Sequence, residues 1–238
     1  MTMKAMSEET WAAARAFYRE KLAAAFHYSR PFSQPRGRVG EAVADLPDFA
    51  AVLRESAPGS FDCARRIGEL ALIHLDGVPK LAAGQTGQAP QPGTWWRELL
   101  NYERGWFLQA ATTAEGPPTN RPRRGVSAVC MTFSWDLPHL IAKLEAGEAI
   151  GDELRRPVTL LFARARDAQV RVVEVGVAVE KVFRATNGLR TQEQIAGVAG
   201  LGAEDSNKIL EALAGIGAVM PAMSPPEMVR RIEAKERL

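Results

Sequence analysis

An α+β fold is predicted by three features of this chain. Two β-branched runs are joined by a short polar turn, the apolar period then changes from two to about 3.6, and helical signatures fill the N-terminal half. The runs are Pro157-Val158-Thr159-Leu160-Leu161-Phe162 and Val170 to Val175, with Arg166-Asp167-Ala168-Gln169 between them, and they read as a β-hairpin. Val179, Val182, Phe183 and Thr186 then mark one helical face, closed by Asn187-Gly188, a pair that tolerates positive φ. Thr191-Gln192-Glu193-Gln194 is a capping box in which the Thr hydroxyl accepts a free N–H and Gln194 reaches back. A third helix is expected from about Ala203 to Gly215, with Ile209, Leu210 and Leu213 inward. Gly217 stops it, and Ala218-Val219 reads as a short extended end. A hairpin followed by three short helices makes a small winged-helix-like module with an antiparallel sheet.

The N-terminal half reads as helices. Ser7 caps the first, and Glu8 and Glu9 stand where the helix dipole favours acids. Trp11, Tyr18, Leu22 and Phe26 give it a buried face. Ser29 to Gly40 is a loop, broken by Pro31, Pro35 and Gly37. Helices follow over Val39–Glu55, restarting at Pro47, and over Ser60–Leu75, whose face is Ile67, Leu70, Ala71 and Leu75. Ala82 to Gly93 is rich in Gly, Gln and Pro. Thr94 begins an aromatic helix holding Trp95, Trp96, Tyr102, Trp106 and Phe107. Those rings pack the helices together, or some of them stay outside as anchors for a partner, since Trp and Tyr dominate interface hot spots.

Residues 114–125 read as a linker with one tight basic cluster, Arg121-Pro122-Arg123-Arg124, either solvated or in contact with an acidic partner. Val126 to Trp135 alternates like a first strand, and Asp136 caps a helix through Leu140, Ile141 and Leu144. Pro225 and Pro226 punctuate a charged final helix, Glu227–Leu238. The resulting division is a helical domain over 1–113, the linker, a winged-helix-like domain over 126–221 and a final helix over 222–238.

Composition excludes several classes. A length of 238 residues with 46% hydrophobic content suits one large or two small domains. The net charge of +2 is too balanced to imply a nucleic-acid or membrane partner. Two distant cysteines, Cys63 and Cys130, suggest a reducing compartment. With no apolar run near ~18 residues, a cytoplasmic protein is expected. His27, His74 and His139 are isolated and form no metal-ligand spacing, and His74 reads as a packed residue. No nucleophile elbow, phosphate loop or shielded carboxylate pair is present, and Gly200-Leu201-Gly202 lacks the strand that a dinucleotide site needs. The expectation is a non-catalytic chain with no metal or cofactor of its own.

The segment Asn187-Gly188-Leu189-Arg190-Thr191-Gln192-Glu193-Gln194-Ile195, followed by Gly217-Ala218-Val219, resembles the PqqD-like recognition elements that bind leader peptides in ribosomal peptide natural-product pathways. Phe133-Ser134-Trp135-Asp136-Leu137, a helix ending at Gly147, then the hairpin and three helices is similar to the partner subunits of multinuclear non-haem iron oxidative enzymes. Such subunits serve thiaglutamate and methanobactin biosynthesis, and the thiaglutamate type is the nearer likeness. The resemblance implies that iron and oxidative chemistry reside in a separate barrel-fold enzyme. This chain would bind a precursor peptide and present its cysteine-containing end. Binding would be by strand addition on Val170, Arg171, Val172, Val173 and Glu174, with Asn207, Lys208, Leu210 and Glu211 of the third helix as the second wall. Trp95, Trp96, Tyr102, Trp106, Arg123 and Arg124 are the candidates for contact with the enzyme. A minimal recognition element lacks the long helical half, which is assigned to that contact.

Two other readings compete. A DNA-binding winged helix should present Lys or Arg on its recognition helix, whereas the third helix carries Glu204, Asp205 and Glu211 against Lys208. An independent enzyme would need a site assembled from scattered residues.

Overall fold

In a computed structural model that describes residues 7–29, 39–76, 95–114, 116, 118–165, 167–224 and 226–228, the chain is an α+β fold. It divides into two units, Met1–Ala114 with Phe133–Val158, and Glu115–Thr132 with Thr159–Leu238.

The first unit is helical. Ser7 starts α1 (Glu8–Ala25) by accepting from Thr10 N at 3.3 Å. Next come α2 (Val39–Ala44), α3 (Pro47–Glu55) and α4 (Phe61–Asp76). Proline opens α3 in the first turn, where its missing N–H has no intrahelical partner to lose. Helix α5 (Trp96–Ala111) carries the aromatic run. Tyr18, Leu22, Phe26, Phe49, Leu53, Ile67, Leu99, Leu100 and Phe107 are buried, with the Tyr18 and Phe26 rings each 6.4 Å from Phe107. Two interior polar contacts tie the loop before α4 to the rest of the unit: Tyr18 Oη accepts from Gly59 N at 2.8 Å, and Gly59 O accepts from Thr113 N at 2.9 Å.

Helix α6 (Leu137–Ala146) also belongs to this unit, although the linear pattern groups it with the winged-helix-like domain. The physical reason is a long-range tie. Glu98 on α5 accepts from the N–H groups of Ser134 and Trp135 at 2.8 and 3.0 Å, just before Asp136 caps α6. The segment after the strand over Val129–Phe133 is thereby held by the helices, and the expected 126–221 block is shared between the two units.

The second unit holds the sheets and three helices. Strand β1 (Arg123–Arg124) pairs antiparallel with β5 (Val219–Met220), so part of the expected linker is paired backbone. Strands β2 (Val129–Phe133), β3 (Val158–Arg164) and β4 (Val170–Glu174) form a sheet in that order, with β3 and β4 antiparallel. Leu160 to Ala163 are all buried, as suits a central strand covered on both faces. Helices α7 (Val177–Ala185), α8 (Gln192–Ala199) and α9 (Ala203–Gly215) follow. Leu161, Ala163, Val182, Phe183, Ile195, Leu210, Leu213 and Val219 share one core.

Local signals act where they stand. Gly188, at φ +83, reverses the chain after α7. Thr191 accepts from Gln194 N at 3.2 Å, and Gln194 Oε1 accepts from Thr191 N at 2.9 Å, completing the capping box. Thr191→Ala is therefore expected to lower the stability of this unit by about 1 kcal/mol, read as a fall in its denaturation midpoint. An unchanged midpoint would show that the box contributes nothing here. The stretch over Ala82–Gly93 and the final helix beyond Met228 lie outside the described residues.

Candidate functional site

Sheet order makes β4 an outer strand, with β3 on one side and no further strand on the other among the described residues. Two bonds fix its alternation: Ala165 N donates to Gln169 O at 2.9 Å, and Val175 N donates to Thr159 O at 2.8 Å. In an antiparallel ladder, bonded and non-bonded pairs alternate. The register therefore aims the main chain of Arg171 and Val173 at Ala163 and Leu161, and turns the N–H and C=O of Val170 and Val172 outward. Such an edge is a template for another extended chain.

Side chains grade this edge from apolar to charged. Val173 sits opposite Leu161, so it continues the face of the core cluster to the border of the sheet, where it is 39% exposed. Val170 and Val172 are half-buried, and Arg171 and Glu174 are exposed. Arg171 Nη2 meets Asp167 Oδ2 at 3.2 Å across the hairpin turn. That turn also holds Ala168 at φ +64, a left-handed conformation that glycine would take without cost.

The proposed second wall is only partly available. On α9, Asn207 is half-buried, while Lys208 and Glu211 are exposed. Lys208 pairs with Glu204 at 2.7 Å, so the one basic group facing the three acids of this helix is already neutralised. Leu210 is 5% exposed and packs in the core cluster, which makes it an interior residue rather than a contact.

The aromatic and basic candidates divide similarly. Trp95 and Trp96 are buried, with rings 6.3 Å apart edge to face, so as folded they are core residues. Tyr102 and Trp106 are half-buried, and burial, reinforced by the charges of Tyr28 and Glu103, pushes the Tyr102 phenol up to about 12. Arg123 turns inward, its Nη2 3.0 Å from Met220 Sδ, and the exposed Arg124 lies over the Phe183 ring at 5.8 Å. Among the described residues of the helical unit Ile73 is the most exposed large apolar side chain, at 74%, beside a hollow lined by Leu72, Leu100 and Asn101.

Two polar clusters escape the sequence reading. Asp136 is buried at the start of α6, where Oδ2 takes Arg156 Nε and Nη2 at 2.9 and 2.7 Å and His139 Nδ1 at 2.9 Å. Burial raises its carboxyl, but the bonds from His139 and Arg156 outweigh burial and hold it below the ordinary carboxylate range. Glu103 is the second, a carboxylate inside the helical core. Its sequence signal is the stripe Trp96, Leu100, Glu103, Phe107, in which an acid occupies a core position.

Among the described residues no group of three or more His, Cys, Asp or Glu side chains is placed to hold a metal ion, and no helix is long and apolar enough to cross a membrane. His27 and His139 are exposed and His74 is half-buried. Compared with models of known families and with curated proteins, the chain matches none.

Proposed function

We propose that this chain is the non-catalytic partner subunit of an iron-dependent oxidative enzyme, binding a ribosomally made precursor peptide and presenting its cysteine-containing end. The observation that carries the reading is the outer edge of β4, where Val170 and Val172 turn main-chain donors and acceptors away from the sheet beside the half-exposed Val173. An extended peptide added there gains main-chain hydrogen bonds that tolerate sequence variation, and Val173 offers an apolar rest for one of its side chains. The second unit serves as a winged-helix-like recognition element in this account: a hairpin, three helices and a closing strand in the order that the resemblance requires.

The helical unit contacts the enzyme, with Ile73, Tyr102 and Trp106 as the surface apolar groups that can be covered. Iron and its chemistry belong to the barrel-fold partner. Holding the peptide next to that enzyme raises its effective concentration at the iron centre without any new contact to the reacting atoms. The complex is placed in the cytoplasm, where thiols stay reduced for modification. A DNA-binding role is disfavoured by α9, whose Glu204, Asp205 and Glu211 would repel phosphates while Lys208 is paired.

Affinity capture with the full chain from its native cytoplasm, followed by mass spectrometry, tests this reading. The expected result is co-recovery of an iron enzyme and a short cysteine-containing peptide. Recovery of DNA, or turnover of a small molecule by the purified chain with neither partner bound, would sink it.

A further inference from the structure

The helical unit contains an acid where an apolar side chain is expected. Trp96, Leu99, Leu100 and Phe107 of α5 are buried, and Glu103 on the same helix is as buried as they are. Its Oε1 accepts from Tyr28 N at 2.5 Å and Ser29 N at 2.9 Å, in the bend that follows the end of α1. Its Oε2 is buried without a well-formed hydrogen bond, although the equally buried Ser29 hydroxyl acts on the carboxyl, and among the described residues no cation pairs with the carboxylate. A buried anion with a poorly bonded oxygen and no counter-charge is costly, whereas the neutral acid can keep both main-chain bonds through its carbonyl oxygen.

We infer that Glu103 is a proton-operated latch: protonated, it holds the Tyr28–Ser29 bend against α5, and loss of the proton releases that bend. The ionised form is relieved only when water reaches Oε2, and the bend is what α5 must part from for that to happen. Among the described residues, the titratable groups around it do not supply a positive charge. Tyr28 and Tyr102 both sense Glu103, and Glu145 on α6 acts on the same two phenols. Arg104, the next residue, is coupled to Glu69 and Arg65 instead. Burial pushes the Glu103 carboxyl up to about 7, against the pull of the Ser29 hydroxyl and of the Ser29 and Tyr28 N–H donors.

The sign follows from the two acidities. Opening returns the carboxyl toward its ordinary value of 4.5, so the closed form binds the proton more tightly. Closure is fully supported below that value, weakens as pH rises toward about 7, and changes no further above it. Across the window the opening equilibrium grows by up to about 300-fold, the ratio of the two acidities.

Amide hydrogen exchange at Tyr28 and Ser29 in the full chain, corrected for intrinsic base catalysis, reads this directly. Protection in the native chain is expected to fall on the order of 100-fold between about pH 5 and 7.5 and then level off. In Glu103→Gln, which keeps an acceptor oxygen but cannot ionise, protection should not vary with pH. PH-independent protection in the native chain, or the same fall in Glu103→Gln, overturns the latch. Carbon-13 titration of the Glu103 carboxyl in the native chain decides it independently should the variant not fold: a midpoint near 7 supports the latch, and one near 4.5 overturns it.

Discussion

Replacing Gly217 with alanine is expected to destabilise the second unit by about 3 kcal/mol, the sum of a left-handed non-glycine residue and an overpacked contact. Gly217 sits at φ +79, between α9 and β5. A Cβ there would lie 2.2 Å from Arg164 O, 2.9 Å from Arg164 C and 3.1 Å from Ala165 Cα. All three are main-chain atoms at the end of β3, so no side chain can swing aside. Relief would require moving β5 away from the strand, and β5 carries Val219 of the core and the pairing to β1. Gly197→Ala on α8 is the internal control: its Cβ meets nothing within 4 Å, and an alanine in a helix gains about 0.5–1 kcal/mol over glycine. Denaturant midpoints of the two variants should move in opposite directions. Equal midpoints would mean that the close approach at Gly217 is not part of the fold's stability.

If this chain captures a peptide on β4 as proposed, Val172→Pro is expected to lower its affinity by at least about tenfold while leaving the sheet intact. The N–H of Val172 points away from β3, so proline removes no bond of the β3–β4 ladder, and edge strands accept proline on that side. The same residue does remove a donor from the outer edge and puts a ring in the path of an added strand. Val173→Pro makes the opposite test, because Val173 N–H faces Leu161 within the ladder. That variant should lose stability as well as binding. If Val172→Pro binds the peptide as the native chain does, capture does not use this edge.

How much of this was legible in the chain depended on distance along it. Caps and stops are local chemistry, and Ser7, Asp136, Thr191 and Gly217 act as their residue types require. The hairpin follows from alternation, and its β4 residues are those expected. Ala168 at positive φ was not legible, because alanine carries no preference for that conformation. Neither was the pairing of Arg123 with Met220, which turns part of an apparent linker into β1. The bond from Tyr28 to Glu103 spans 75 residues, and the bonds from Ser134 and Trp135 to Glu98 span 36 and 37. No periodicity encodes such partners. Composition likewise gives an aromatic helix without saying which rings face in, and Trp95 and Trp96 turned out to be interior. For the candidate site, the strand was readable, but its position at the sheet's edge is a property of strand order.

The most direct measurement of the central proposal is amide exchange along β4, made with and without the precursor peptide captured by this chain. Strand addition predicts that the Val170 and Val172 amides, turned outward in the free chain, slow by at least about tenfold on binding. The Arg171 and Val173 amides, already facing β3, should change much less. A peptide that binds tightly while Val170 and Val172 exchange as before would contradict it, and would move the docking surface off this strand.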